Sequence, residues 1–102
     1  MLIASSIETG SSAPENTIIE LSCLVTGPGK PILRIMCSDG DAAVQVSGVE
    51  ESGESFSLTL KLKREHNRKL FYCQAAALDH SYIHESANSV QFDVICKFHI
   101  DI

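Results

Sequence analysis

The sequence predicts an all-β fold, a two-sheet antiparallel sandwich with one inter-sheet disulfide. Three observations carry this prediction: short apolar segments separated by turn-forming clusters, a period of two within those segments, and a cysteine in the first long segment with another fifty residues on. The turns are "TGPGKP" at 26–31, "SDGD" at 38–41 and "EESGES" at 50–55, where Gly, Pro, Asp and Ser supply the backbone conformations that strands cannot.

Between them lie five candidate strands: "TIIELSCLV" at 17–25, "ILRIMC" at 32–37, "SFSLTLKLK" at 55–63, "KLFYCQAAAL" at 69–78 and "SVQFDVICKF" at 89–98. In the third, Phe56, Leu58, Leu60 and Leu62 fall on one face, with Ser57, Thr59, Lys61 and Lys63 on the other. That alternation describes a strand buried on one side. Ile19, Leu21, Cys23 and Val25 form a similar inward face around the first cysteine. Only "ESGES" and "HNRKL" hint at a local helical turn, and there are no internal repeats.

With 102 residues, 44% of them hydrophobic, and a net charge of −5, the chain is one globular domain with a modest core. Its mild acidity argues against nucleic acid or anionic lipid as a partner, both of which call for a basic face. No apolar run approaches the ~20 residues of a membrane span. The start "MLIASSIETGSS" has neither the basic head nor the apolar stretch of a signal peptide, so the chain is expected to be either cytosolic or one domain of a longer secreted protein.

The four cysteines, Cys23, Cys37, Cys73 and Cys96, are too widely spaced for a metal knuckle or a redox CxxC. They allow three pairings. Cys23 and Cys73 occupy inward positions on their strands and are expected to bridge the sheets; the competing reading of Cys73 as a nucleophile finds no His and acid arranged around it. Cys37 and Cys96 fall on inward faces of the strands at 32–37 and 89–98, which in the expected sandwich run parallel with the strand at 69–78 between them, so that both cysteines lie near the same end. Two strand spacings, roughly 9–10 Å, would separate their backbones, beyond the ~7 Å reach of a bridge. Free buried thiols are the favoured reading, ahead of a bridge made by a curling tail or pairing with another chain.

"ELSCLVTG" resembles strand B of an immunoglobulin-like domain, and "LTLKLKREHNRKLFYCQA" resembles its strand E, E–F corner and strand F. The resemblance extends from about Pro14 to Val94. It sets a domain at 14–97, residues 1–13 as an N-terminal strand or linker, and 98–102 as a tail. The core tryptophan of strand C is replaced by Ile35, and the tyrosine two residues before the second cysteine by Phe71. In both departures the chain is similar to the C2/I2-type domains of the intercellular and vascular cell adhesion molecules. The second disulfide of that group's integrin-binding tip domains would need cysteines where Gly27 and Ala77 stand, so the resemblance is to a middle or membrane-proximal domain. It implies a non-catalytic cell-surface module for adhesion or receptor recognition, a protein partner, an extracellular location and no cofactor. Ile35 is expected to be buried against the disulfide.

Other candidate sites are weaker. Asp39 or Asp41 stands nearest the family's acidic integrin contact, although Asp and Gly are also what a solvated turn requires. His80 and His84 have a metal-like spacing only on a helix, and the segment reads as an F–G loop. "KLKREHNRK" at 61–69 holds five basic residues, read first as a solvated corner and second as a weak glycosaminoglycan site. No paired carboxylates, phosphate loop or nucleophile elbow marks an enzyme. Arg34, Met36, Gln74 and Ala76 are expected on outer faces. Tyr82 and Ile83 are candidate partner anchors, with folding back of Ile83 to cap the sandwich slightly favoured over that role. The competing class is an intracellular immunoglobulin-like scaffold module of a cytoskeletal protein: Asn16, Asn67 and Asn88 all lack a glycosylation sequon, and two cysteines lack a partner in the simplest pairing.

Overall fold

A computed structural model describes residues 1–26, 30–40, 42–46, 51–53, 55–77 and 83–96. The strands are β1 (Leu2–Ser5), β2 (Ser12–Pro14), β3 (Ile18–Leu24), β4 (Ile32–Ser38), β5 (Ala43–Gln45), β6 (Glu51–Ser52), β7 (Ser55–Lys61), β8 (Leu70–Ala76), β9 (Ile83–Glu85) and β10 (Asp93–Ile95). One 3-10 turn, Arg64–His66, lies between β7 and β8. The first sheet has the order β1-β3-β7 and the second β5-β4-β8-β9, with β6 also on β4; all these pairings are antiparallel.

The two sheets bury the alternate residues that the sequence pattern puts inward. Ile19, Leu21 and Cys23 of β3 and Phe56 and Leu60 of β7 face Leu33, Ile35 and Cys37 of β4 and Phe71, Cys73 and Ala75 of β8, and all are buried. Cys23 and Cys73 form a disulfide between β3 and β8 with Cα atoms 5.8 Å apart. It closes a loop between residues 50 apart in sequence, which in the chain-entropy picture stabilises the fold by roughly 3–4 kcal/mol. Ile35 lies directly opposite Cys73 in the β4–β8 register and is 1% exposed, so it fills the place beside the bridge.

The N-terminal residues belong to the sandwich. Of the two readings of residues 1–13, strand or linker, the strand describes β1, which pairs with β3, and Ile3 and Ala13 enter the core. After β1 the chain changes sheets. Gly10, at φ 85°, takes a left-handed conformation open to glycine, and its N–H donates to the Gln91 carbonyl at 2.7 Å. β2 then runs parallel to β10.

The last predicted strand, 89–98, is corrected. β9 pairs with β8 at 83–85, Val90 makes one isolated bridge to Phe71, and Asp93–Ile95 forms β10, on β2 instead of β8; residues 97–98 lie outside the described residues. Between the Glu85–Gln74 and Val90–Phe71 pairings this strand carries two more residues than its partner, so it bulges. Hydrogen bonds fix the bulge. Ser86 N–H donates to the Cys73 carbonyl at 2.8 Å, and Cys73 N–H donates to Ser86 Oγ at 3.0 Å. The Asn88 carboxamide accepts from Ile3 N–H and donates to the Ile3 carbonyl, both at 2.9 Å, which satisfies the outer edge of β1. A pattern of alternation cannot reveal such a bulge, since it marks faces and not partners.

Phe71 has no hydroxyl to fix the turn between β7 and β8, and other groups hold it. His66 N–H donates to the Lys63 carbonyl, Lys63 N–H donates to His66 Nδ1, both at 2.9 Å, and Asn67 Oδ1 accepts from Val94 N–H at 2.8 Å. The Phe71 ring packs 5.7 Å from His66 and 6.1 Å from Phe92, centroid to centroid. A neutral imidazole suits this position, because Nδ1 accepts a hydrogen bond. Burial lowers the His66 pKa below its ordinary 6.5, with the Glu65 charge opposing.

Two outcomes are expected. Ile35→Ala should lower the free energy of unfolding by about 2–5 kcal/mol through lost transfer energy and a cavity beside the disulfide; a loss under about 0.5 kcal/mol in urea titration would contradict that packing. For His66 the folded pKa lies below the unfolded one, so the unfolded chain binds the proton first as pH falls. Stability contributed by the neutral ring is therefore complete above about pH 6.5 and declines as pH drops below it. Urea midpoints compared at about pH 7.5 and about pH 5.5 should fall less in His66→Gln than in the parent chain.

Candidate interaction face

Alternation that sends Leu33, Ile35 and Cys37 inward turns Ile32, Arg34, Met36 and Ser38 outward, and the same logic exposes the Leu70, Tyr72 and Gln74 positions of β8. The registers of β4, β8 and β9 then align these residues in rows across the second sheet. One row is Ile32, Ala76 and Ile83; the next is Arg34, Gln74 and Glu85; a third is Gln45, Met36 and Tyr72; the last is Ala43, Ser38 and Leu70. A polar strip thus crosses the face, with Ile32 and Ile83 on one side and Met36, Tyr72 and Leu70 on the other; Ala76, expected on the outer face, is instead fully covered by its neighbours. Ile32, Arg34, Met36, Tyr72 and Gln74 are each half-buried by their neighbours, which limits their rotamer freedom before any partner arrives.

Tyr72 ties the rows together. Burial, then the neighbouring Glu85 carboxylate, raise its pKa above the ordinary 10. Tyr72 and Glu85 also border a groove of about 380 Å³ floored by Ser38 and Leu70 and walled by the bulge residues Ser86–Ser89. The sequence reading passed over Tyr72 and Glu85. The alternation through "LFYCQ" places Tyr72 beside Gln74, but its proximity to Glu85 depends on the position of β9.

The remaining predicted residues are dispersed. Cys37 and Cys96 are free thiols in separate surroundings. Cys37 is buried, its pKa raised chiefly by desolvation, and sits with Val44, Val46, His66 and Lys69. Cys96 is half-buried instead of facing the core, with its Sγ 3.9 Å from Glu15 Oε2. Its strand has already left β8 at that point, which is why it does not share an inward face with Cys37. Asp39 closes a tight turn, its Oδ1 accepting from Ala42 N–H at 3.1 Å. Asp41, Tyr82 and His80 lie outside the described residues. Ile83 is on β9 and is 54% exposed, so it does not fold back as a cap. His84 is exposed on the same strand.

The basic corner is largely engaged within the domain. Lys63 Nζ donates to Asn16 Oδ1 at 3.0 Å, Arg64 pairs with Glu15 at 3.5 Å, and Arg68 pairs with Asp93 at 3.0 Å. Among the described residues no group of three His, Cys, Asp or Glu side chains is placed to hold a metal ion. No described helix is long and apolar enough to cross a membrane.

The fold defines the class of the protein, a disulfide-pinned antiparallel β-sandwich. No protein-family model and no curated protein matches the chain.

Spectrophotometric titration at alkaline pH should show Tyr72 ionising above the ordinary tyrosine value. Glu85→Gln should lower that pKa without restoring it to 10, because burial is the larger cause. An unchanged titration curve in the variant would show that the two side chains do not interact.

Proposed function

We propose that this chain is a non-catalytic immunoglobulin-like module of a larger cell-surface or secreted protein, acting in adhesion or receptor recognition. Binding to a partner protein is assigned to the outer face of β5-β4-β8-β9. The observation that carries this reading is the composition of that face. Arg34, Met36 and Tyr72 belong to the residue types enriched in protein interfaces, and they lie centrally with Ile32, Leu70 and Ile83 around them. The outer face of β1-β3-β7 offers Ala4, Ser22, Ser57, Thr59, Glu20 and Lys61 across its middle, types depleted or unremarkable at such sites, and its exposed apolar residues, Leu2 with Leu24 at one end and Ile18 at the other, stand apart with no aromatic or arginine between them. An extracellular setting is supported by the buried Cys23–Cys73 disulfide, which persists in oxidising compartments. The spacer role of a middle domain is compatible with the same surface, which would then meet a neighbouring domain.

The intracellular scaffold reading draws on the absence of a glycosylation sequon at Asn16, Asn67 and Asn88 and on the free thiols of Cys37 and Cys96. The chain made in the secretory pathway, denatured without reductant and treated with a thiol reagent, should gain two labels by mass. Four labels would support the reduced, intracellular form. The binding face is tested by displaying the chain as a multimer and measuring attachment to cell surfaces. Met36→Ser with Tyr72→Ala should reduce attachment roughly tenfold or more while thermal stability and far-ultraviolet dichroism remain close to the parent. Equal attachment by the parent and this double variant would remove the face from consideration.

A further inference from the structure

β7 is the longest strand edge that remains open among the described residues. β3 lies on one side of it, and no described strand pairs with the other. The chain reaches β7 from β6, which lies on β4, through Gly53 and one further residue. The opposite edge of the same sheet, on β1, is satisfied by Asn88 and by Ala87 N–H donating to the Met1 carbonyl at 3.0 Å.

Which backbone groups face the open edge follows from the alternation of an antiparallel ladder. Ser6 N–H donates to the Glu20 carbonyl, so the even residues of β3 serve β1 and the odd ones, Ile19, Leu21 and Cys23, serve β7. Leu62 N–H donates to the Thr17 carbonyl, which gives the same parity from the other end. Phe56, Leu58 and Leu60 therefore spend their N–H and C=O groups on β3, and those of Ser55, Ser57, Thr59 and Lys61 point outward. The edge has none of the usual defences, since it contains no proline and its sole charge is Lys61 at the end. Leu58, at the centre, points inward yet stays only half-buried, whereas Phe56 and Leu60 on either side are 3% and 9% exposed.

We propose that β7 is a homodimer interface, pairing antiparallel with β7 of a second copy about a two-fold axis at Leu58. This register engages all four outward residues: Ser57 exchanges both backbone bonds with Thr59 of the second copy, and Ser55 does so with Lys61, each pair repeated by symmetry. Shifting the axis to Ser57 or Thr59 leaves part of the edge unused, and shifting by half a residue sets outward groups against groups already bonded to β3. The two lysines lie six residues apart along the seam, roughly 20 Å, so the pairing brings no like charges together. Two copies of Leu58 meet at the axis and cover each other, and the two three-stranded sheets become one. The interface lies on the sheet that the recognition face does not use and is independent of that reading.

Sedimentation velocity on the full 102-residue chain over a concentration series tests the proposal. A reversible monomer–dimer equilibrium is expected. Ser57→Lys with Thr59→Lys sets lysine against lysine and should weaken it roughly tenfold or more, whereas Ser57→Lys with Thr59→Glu sets opposite charges together and should restore it. Hydrogen exchange in the unsubstituted chain gives a readout that needs no variant: the amides of residues 55, 57, 59 and 61 should gain protection with concentration while those of 56, 58 and 60 are protected throughout. A monomer at all concentrations up to about 1 mM, equal association by both double variants, or a dimer without the alternating protection overturns the proposal.

Discussion

The Cys23–Cys73 disulfide is the constraint on which the other features depend. It joins β3 to β8, and the residues opposite its two ends, Phe56 and Ile3 beside Cys23 and Ile35 beside Cys73, are all buried. A domain of this size has little core to spare, so a covalent tie placed at its centre limits how far the sheets can slide. The registers of β4–β8 and β3–β7 are then fixed relative to one another. An error of one residue in either would turn an inward leucine or isoleucine to water.

Around that centre, other side chains stand in for absent ones. With no tryptophan in the chain, Ile35 supplies a smaller volume beside the bridge. With no tyrosine hydroxyl at Phe71, the turn is held by His66 and Asn67. The imidazole needs only Lys63, three residues away, and a degree of burial that keeps it neutral. Hydrogen bonds from Arg68 N–H to the Phe92 carbonyl and from Val94 N–H to Asn67 then carry the turn over to the C-terminal strand.

The two sheets differ in what their outer surfaces present. Small and hydroxyl-bearing residues cover the middle of β3 and β7, where the Ser22 and Ser57 hydroxyls lie 3.0 Å apart, with exposed Ile18 and Leu24 at the ends of β3. Larger and more varied side chains cover β4, β8 and β9, with Tyr72 and Glu85 bordering one groove. The edges differ as well. β1 is sealed by the Asn88 carboxamide, while β7 carries its outward amides and carbonyls on a run of serine and threonine. Half-buried side chains lie on one sheet and outward-facing backbone groups on the edge of the other, and the sandwich keeps them apart.

Much of this was legible in the residues themselves. Alternation in "IIELSCL", "ILRIMC", "SFSLTLK" and "LFYCQ" determined the four long strands and their inward faces, because a side chain's face follows from its parity along a strand. The same parity put Cys23 and Cys73 inside and left Arg34, Met36 and Gln74 outside. Parity says nothing, however, about which strand lies alongside. Only the tertiary structure decided that residues 2–14 complete the sandwich, that Ile83 belongs to a strand, and that the C-terminal segment bulges and passes from β8 to β2. Those choices rest on hydrogen bonds between residues far apart in sequence, such as Asn88 to Ile3 and Gly10 to Gln91, and on two unpaired residues whose presence shifts everything after them. Cys96 shows the consequence: its parity placed it in the core, and the departure of its strand placed it beside Glu15.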